Sequence, residues 1–415
     1  MTPSAGAPAA NAIRFVLLAV LIDSMGFGIV MPVLPDIVMK LGHVDLPEAT
    51  RIGGWLGVVY AAVQFLTGPF VGNLGDRFGR RPVLLGALAG FTADYLLLAF
   101  APSLAWLFVG RALAGLFGAS FGPAGAAIAD ISAPDERSRY FGMIGAAFGI
   151  GFIVGPAIGG LLGEFGPRAP FYAAGALSGA NFLFGLVFFP ETLSSGNRRP
   201  FSLARANPVG AWRSLGKLHG VIPLSIAAFF WQVAAMIYPV TWAYFAIAAF
   251  GWTPGIIGAS LAMVGCLMAL SQILLVGPVV KRLGERASVA VGIAGATAQF
   301  LCYTIIHDGW MVFVVMLLMP IQSLVFPAIN GLMSRKVPPD AQGELQGFNG
   351  SIAAIAAIFA PAIFSPALAY FTSPGAPFQF VGIGFAMASV LALVSLAILL
   401  LAGRRPDQMP PSTAR

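Results

Sequence analysis

Three ionisable residues stand inside long apolar runs: Asp23, Asp94 and Arg111. A charge within lipid must be paired, hydrated or neutralised, so each is a functional-site hypothesis by default. Burial and a nearby cation act in opposite directions on a carboxylate's hold on its proton. An acid beside a guanidinium, at a separation that changes with conformation, could therefore load and release a proton. Asp23 and Asp94 are the candidate carriers, and Arg111 is the group that tunes them. At about 1.5 Å per helical residue each lies near the middle of its run, so the three could share one layer. The competing reading is a static pair that only locks helices together. The last six runs hold no Asp or Glu in their middles, so proton chemistry is expected in the first half of the chain.

The elements that position these residues follow from composition. Of the 415 residues, 58% are hydrophobic and 9% charged, against about 25% charged in soluble domains. Lipid must be the solvent for most of the chain, and the expected fold is all-α. Runs of about 20 apolar residues span a bilayer as helices, and twelve can be counted. They lie roughly at 14–39, 53–74, 82–101, 104–128, 140–163 and 170–190, then at 220–247, 254–280, 288–306, 310–333, 346–371 and 378–402. This divides the chain into a six-helix half over 1–190, a basic linker over 191–217 and a second half over 218–415 with a short tail.

Charge placement gives the orientation. Nineteen of the 23 Lys and Arg fall on the side that carries both termini, and an excess of positive residues marks the cytoplasmic side. The basic balance is thus a topology signal and not a footprint for nucleic acid. The first apolar stretch runs on past Asp23, which reads as a retained span and not a cleaved leader. Cys266 and Cys302 read as buried thiols. His43, His219 and His307 sit near span ends with no metal or triad spacing, so neither an enzyme nor a metal site is expected.

An internal repeat links the halves. The segment Gly68–Arg77 aligns without gaps on Gly277–Arg286, at an offset of 209, with Asp76 opposite Glu285. Halves repeated in this way are the pattern of transporters whose substrate site lies between them near the midplane.

Two motifs carry a family resemblance. Gly72-Asn73-Leu74-Gly75-Asp76-Arg77-Phe78-Gly79-Arg80-Arg81 resembles the loop signature of the major facilitator superfamily. The resemblance implies a cytoplasmic gate that closes the inside in the outward-facing state, with Gly72, Asp76, Arg77, Gly79, Arg80 and Arg81 as its residues. The fifth run carries Gly142, Gly151, Gly155-Pro156 and Gly159-Gly160, similar to the superfamily's antiporter signature. Such spacing bares one helix face for close packing and rocking. The stretches Asp23–Pro35, Asp94–Phe100, Gly110-Arg111 with Gly115, Gly118 and Ala119, Ile128–Asp130, and Gly343 with Leu345–Gly347 resemble the bacterial tetracycline:proton antiporters. In those exporters an aspartate, a histidine and a second glutamine occupy the positions of Ala296, Met268 and Met236. The substrate is therefore expected to be a small amphipathic compound rather than tetracycline by default.

Candidate substrate contacts are Gln64, Gln232, Met236, Trp242, Met268, Gln272 and Gln299, with Asn330 and Asn349 also in apolar runs. Aromatics with sparse amides suit a flat ligand with a few orienting polar groups. The expected function is proton-coupled export from the bacterial inner membrane by a monomer, powered by the proton motive force without a cofactor. The alternative is a symporter or facilitator that imports a nutrient, which the fifth-run signature disfavours.

Overall fold

The computed structural model describes residues 7–118, 121–132, 136–202, 221–338 and 342–402. Ala119 and His219, named above, lie outside the described residues, as do Arg205, Arg213 and Lys217 of the basic linker and Arg404, Arg405 and Arg415 of the tail. The fold is a bundle of long helices: α1 (Ala7–Val30), α2 (Leu46–Phe78), α3 (Arg80–Phe100), α4 (Leu104–Ile131), α5 (Arg137–Gly163) and α6 (Ala169–Phe188) form the first half. The second half has α7 (Ile222–Phe250), α8 (Pro254–Leu283), α9 (Glu285–Ile305), α10, α11 (Gln342–Thr372) and α12 (Ile383–Ala402). In α10, Gly309–Met316 and Met319–Ser334 meet at a 43° bend, where Pro320 removes a backbone donor. Eleven of these rods are long and apolar enough to cross a bilayer singly, and the bent pair makes the twelfth.

The first span is shorter than the sequence suggests. It ends at Val30, and a separate short helix covers Leu34–Gly42. Pro32 and Pro35 explain the break, since neither can donate within a continuing helix. Cys302 is half-buried, but Cys266 is exposed on α8, contrary to the expected buried thiol. On a lipid-facing rod the outer surface is itself apolar, so exposure does not exclude a small hydrophobe.

The repeat is real in backbone terms but shifted by one helical turn. Gly79, between α2 and α3, has φ 105° and ψ 165°, and Gly284, between α8 and α9, has φ 78° and ψ 162°. Both adopt the left-handed side of conformational space that glycine tolerates. The gapless alignment pairs Gly284 with Gly75, which lies inside α2. A π-helical turn at Gln272–Val276 also separates α8 from its counterpart.

The two ends of the bundle differ. One hydrophobic core joins the halves at the end away from the α2–α3 turn, from Ile29, Leu56 and Leu107 to Trp242, Ile257 and Phe364, and in the second half it continues to Val289 and Leu399 at the basic end. At the end bearing that turn, a separate core of Phe15, Val16, Leu88, Ile128 and Phe189 belongs to the first half alone. Glycines report the same contrast. Gly53 lies against Tyr244, Gly54 against Ser365, and Gly160 against Pro254 and Gly258, all across the halves. Among the described residues nothing stands within 4 Å of a side chain placed at Gly68 and Gly72 on α2, Gly142 and Gly149 on α5, Gly277 on α8, or Gly347 and Gly350 on α11. Among the described residues the halves are thus joined at the far end and parted at the basic end.

Candidate functional site

Asp94 on α3 is fully buried, and its Oδ2 lies 3.6 Å from Arg111 Nη2 on α4. That is an ion pair without a hydrogen bond, and among the described residues neither carboxylate oxygen has any other donor. Gly110 makes the site possible, because a side chain there would stand 2.7 Å from Asp94 Oδ1. Asp23, half-buried on α1, joins the same layer: Tyr60 and Tyr95 both lie within the fields of Asp23, Asp94 and Arg111. Tyr95 reaches α1 by setting its hydroxyl against Gly26. The three residues expected to share a layer are therefore assembled by α1, α3 and α4. Phe27, one turn beyond Asp23, stands between Tyr60 and Phe152 with ring centroids 6.1 and 6.2 Å away. It is more than a third exposed, an aromatic wall beside the acid that the sequence pattern did not single out.

The fifth-span glycines divide by face. A side chain at Gly151, Gly155 or Gly159 would collide with Ser24, Met25 or Ile29 of α1, and one at Gly160 with α8. Pro156 continues this seam, packing its ring on Gly28 and its carbonyl on Gly258. Gly142 makes no such approach, so the close packing starts at Gly151. The seam binds α5 to the helix that carries Asp23 on one side and to the opposite half on the other.

At the basic end, Arg80 joins three elements. Its Nη1 meets Asp76 at 2.8 Å and its Nε meets Asp130 on α4 at 3.1 Å. Its backbone N–H donates to Glu191 at 2.8 Å. Arg81 donates through its backbone to Glu191 and through Nη2 to the Leu186 carbonyl, at 2.8 Å, on α6. Gly79 is pressed against the Glu191 carboxylate, Arg77 is exposed with its guanidinium over Phe78, and Gly72 faces open space. The linker docks here too, with Arg199 N–H donating to the Asp76 carbonyl and Asn73 bonded to Ser202. Glu191 is a site residue that the motifs do not single out; its signal is that it is the lone acid of the basic linker, at its first position.

The expected substrate contacts scatter. Trp242 is buried in an aromatic cluster with Tyr238, Tyr303 and Phe385, and its Nε1 donates to Ser260 at 2.9 Å. Gln299 is fully buried and donates to Tyr303 and to the Val315 carbonyl. Both are packing residues closed to a ligand in this conformation. Gln64 ties α2 to α4 through the Gly118 carbonyl at 3.0 Å. Met268 and Gln272 are exposed on α8, and Met236 is half-buried where α7 is interrupted. Ala296 is fully buried. Gln232 lines a small cavity of about 20 Å³, room for about one water, with Trp231, Phe326, Asn330, Met333 and Asn349. Asn349 donates to Asn330 at 2.6 Å, and its own Oδ1 is buried without a partner.

At the far end Glu164, just past α5, crosses to the other half. Its Oε1 accepts from the Gly255 N–H at 2.8 Å, at the start of α8. Hydrogen bonds from the Thr253 hydroxyl and from Gly255 hold its carboxyl below the usual glutamate range. Asp36, on the short helix, lies within its field.

Residues 16–361 match the Major Facilitator Superfamily. The class C tetracycline resistance protein of Escherichia coli is 38% identical over 94% of this chain and 96% of its own length. The class G protein of Vibrio anguillarum is 36% identical over 94% and 96%. Among solved structures, a bacterial homologue of the human lysosomal transporter Spinster aligns with TM-score 0.77 at 16% identity, covering 97% of this chain and 98% of that one. A nucleoside transporter aligns at 0.77 and 14%, covering 95% and 100%. The chain belongs to the major facilitator superfamily, and within it to the family of the tetracycline resistance proteins.

Proposed function

We propose that this protein is a proton-coupled antiporter that exports a small amphipathic compound by alternating access. The observation that carries the reading is Asp94: a fully buried carboxylate with one cation at 3.6 Å and no hydrogen bond. Such a group is stable only while the surroundings hold that cation in place, and it becomes a proton acceptor when they do not. The Gly151–Gly160 seam links this layer to the far-end contact between the halves, so rocking of the halves would alter the Asp23–Asp94–Arg111 geometry.

In this mechanism the basic end is cytoplasmic with both termini, and the membrane is the bacterial inner membrane. The parted basic end is then the inward-open form, in which substrate enters between Phe27 on one side and Gln232, Asn330 and Asn349 on the other. Proton binding at Asp23 or Asp94 returns the emptied carrier. The Asp76–Arg80–Asp130 network, formed within the first half while that end is open, holds the loop that serves as the cytoplasmic gate. Glu164 on the start of α8 closes the opposite end. The carrier works as a monomer, uses no cofactor beyond the proton motive force and carries out no catalysis. Tetracyclines, named in the relatives, head the panel of candidate substrates.

Expression in a pump-deficient strain tests this, with accumulation measured for a compound panel. Lowered accumulation that an uncoupler reverses is expected. Raised accumulation of a panel compound would favour the importing symporter instead.

A further inference from the structure

A cavity of about 1100 Å³ opens at the basic end of the second half, at the α8–α9 turn and beside the ends of α10 and α12. It lies away from the charged layer. Lys281, Arg286 and Arg335 line it with a single acid, Glu285, and Val280, Leu332 and Leu400 supply apolar wall. Glu285 pairs with Arg335 at 2.9 Å, which leaves the cavity with an excess of positive charge.

The first half shows what this geometry holds. Gly79 and Gly284 occupy the same turn with the same left-handed backbone. Two residues on, Arg81 donates to the Leu186 carbonyl near the end of α6, and Arg286 donates to the Leu399 carbonyl near the end of α12. In the first half, the Glu191 carboxylate seats on the backbone N–H groups of Arg80 and Arg81 and lies against Gly79. Among the described residues nothing lies within 4 Å of the corresponding point on Gly284. The same cradle therefore holds the chain's own anion in one half and opens on a basic cavity in the other.

We propose that this cavity binds the headgroup phosphate of an anionic phospholipid. Lys281 and Arg335 face the phosphate, and Arg286 fixes the α9–α12 corner beneath it. A basic pocket between spanning helices at the membrane surface suits such headgroups. The apolar surface favours a lipid over a free phosphate. Leu283, Val291, Leu393 and Leu400 are 44–52% exposed along α8, α9 and α12, apolar surface against which acyl chains can lie.

The test uses the purified full-length protein in detergent and native mass spectrometry. Phosphatidylglycerol, phosphatidylcholine with the same acyl chains, and inorganic phosphate are titrated separately and in competition. Phosphatidylglycerol should be retained preferentially, and Lys281→Gln and Arg335→Gln should each weaken it about fivefold, as expected for one basic residue at an anionic surface. Glu285→Gln should strengthen it. Lys281→Gln changes an exposed side chain, so unchanged melting keeps its result readable. Equal retention of the two lipids would overturn the proposal. So would displacement of the lipid by inorganic phosphate at equal concentration, or binding that appears only after residues 403–415 are deleted, which would assign the cradle to the chain's own tail.

Discussion

The two halves share a backbone plan and divide the chemistry. The first half buries Asp94 against Arg111, gathers Asp23 beside them and builds an Asp76–Arg80–Asp130–Glu191 network at its basic end. The second half fills the equivalent volume with Tyr238, Trp242, Phe300, Tyr303 and Phe385, and its polar patch is made of uncharged amides. A repeated fold thus does not repeat its energetics. Buried charges are concentrated on one side of the interface, and a patch with directional but neutral hydrogen bonding lies on the other. In the proposed mechanism the first half alone reads the proton, while the substrate meets the amides of the second half opposite Phe27 of the first.

The seam that joins the halves should be the most sensitive place to break the division. Gly160→Ala would drive a methyl into the Pro254 carbonyl and the Gly258 backbone of α8, and overpacking of this kind costs about 1–3 kcal/mol. Vesicle transport should fall to background, while Gly142→Ala, which faces open space, should transport normally. Variants in the second half should act on stability or affinity and leave proton coupling in place. Trp242→Ala should cost about 3–5 kcal/mol of stability as a buried aromatic truncation, read as a lowered melting temperature. Asn349→Ala should instead raise KM about three- to tenfold, the worth of one hydrogen bond, and leave the pH profile of transport unmoved. A shifted pH profile in Asn349→Ala would break the assignment of proton chemistry to the first half.

The smallest effect is expected at Glu164. Its carboxyl titrates below the usual range in the closed far end, because Thr253 and Gly255 donate to the ionised form. Its contribution to closure is therefore complete above the ordinary glutamate range, near pH 4.3, and is lost as pH falls through the lowered value. Distances between spin labels at Trp106 and Trp310 should stay constant from neutral pH down to that range and lengthen below it. Glu164→Gln should show little of this acid response, and an identical response in both proteins would remove Glu164 from the gate.

Much of the first half was legible because its signals are anomalies. An acid in an apolar run such as Asp94 stands out, and glycines at Gly151, Gly155 and Gly159 repeat on one helical face. The second half was harder for the same reason. Trp242 and Gln299 occur in apolar runs as a ligand-binding residue would, and only packing shows that both face inward. The repeat identified the correct region but not the register, since Gly75 and Gly79 are equally good helix ends until the chain chooses one. Glu164 and Glu191 act across 91 and 111 residues of sequence, contacts that no local pattern encodes.

Proton release on substrate binding tests the central claim most directly. Purified protein in weakly buffered solution is mixed with a transported compound, and released protons are followed with a pH dye. The wild type should release protons and Asn349→Ala should do so at higher substrate concentration, while Asp94→Asn binds substrate with the release diminished or lost. Full release from the double variant Asp23→Asn, Asp94→Asn would contradict the account, because the proton would then be carried outside the charged layer of the first half.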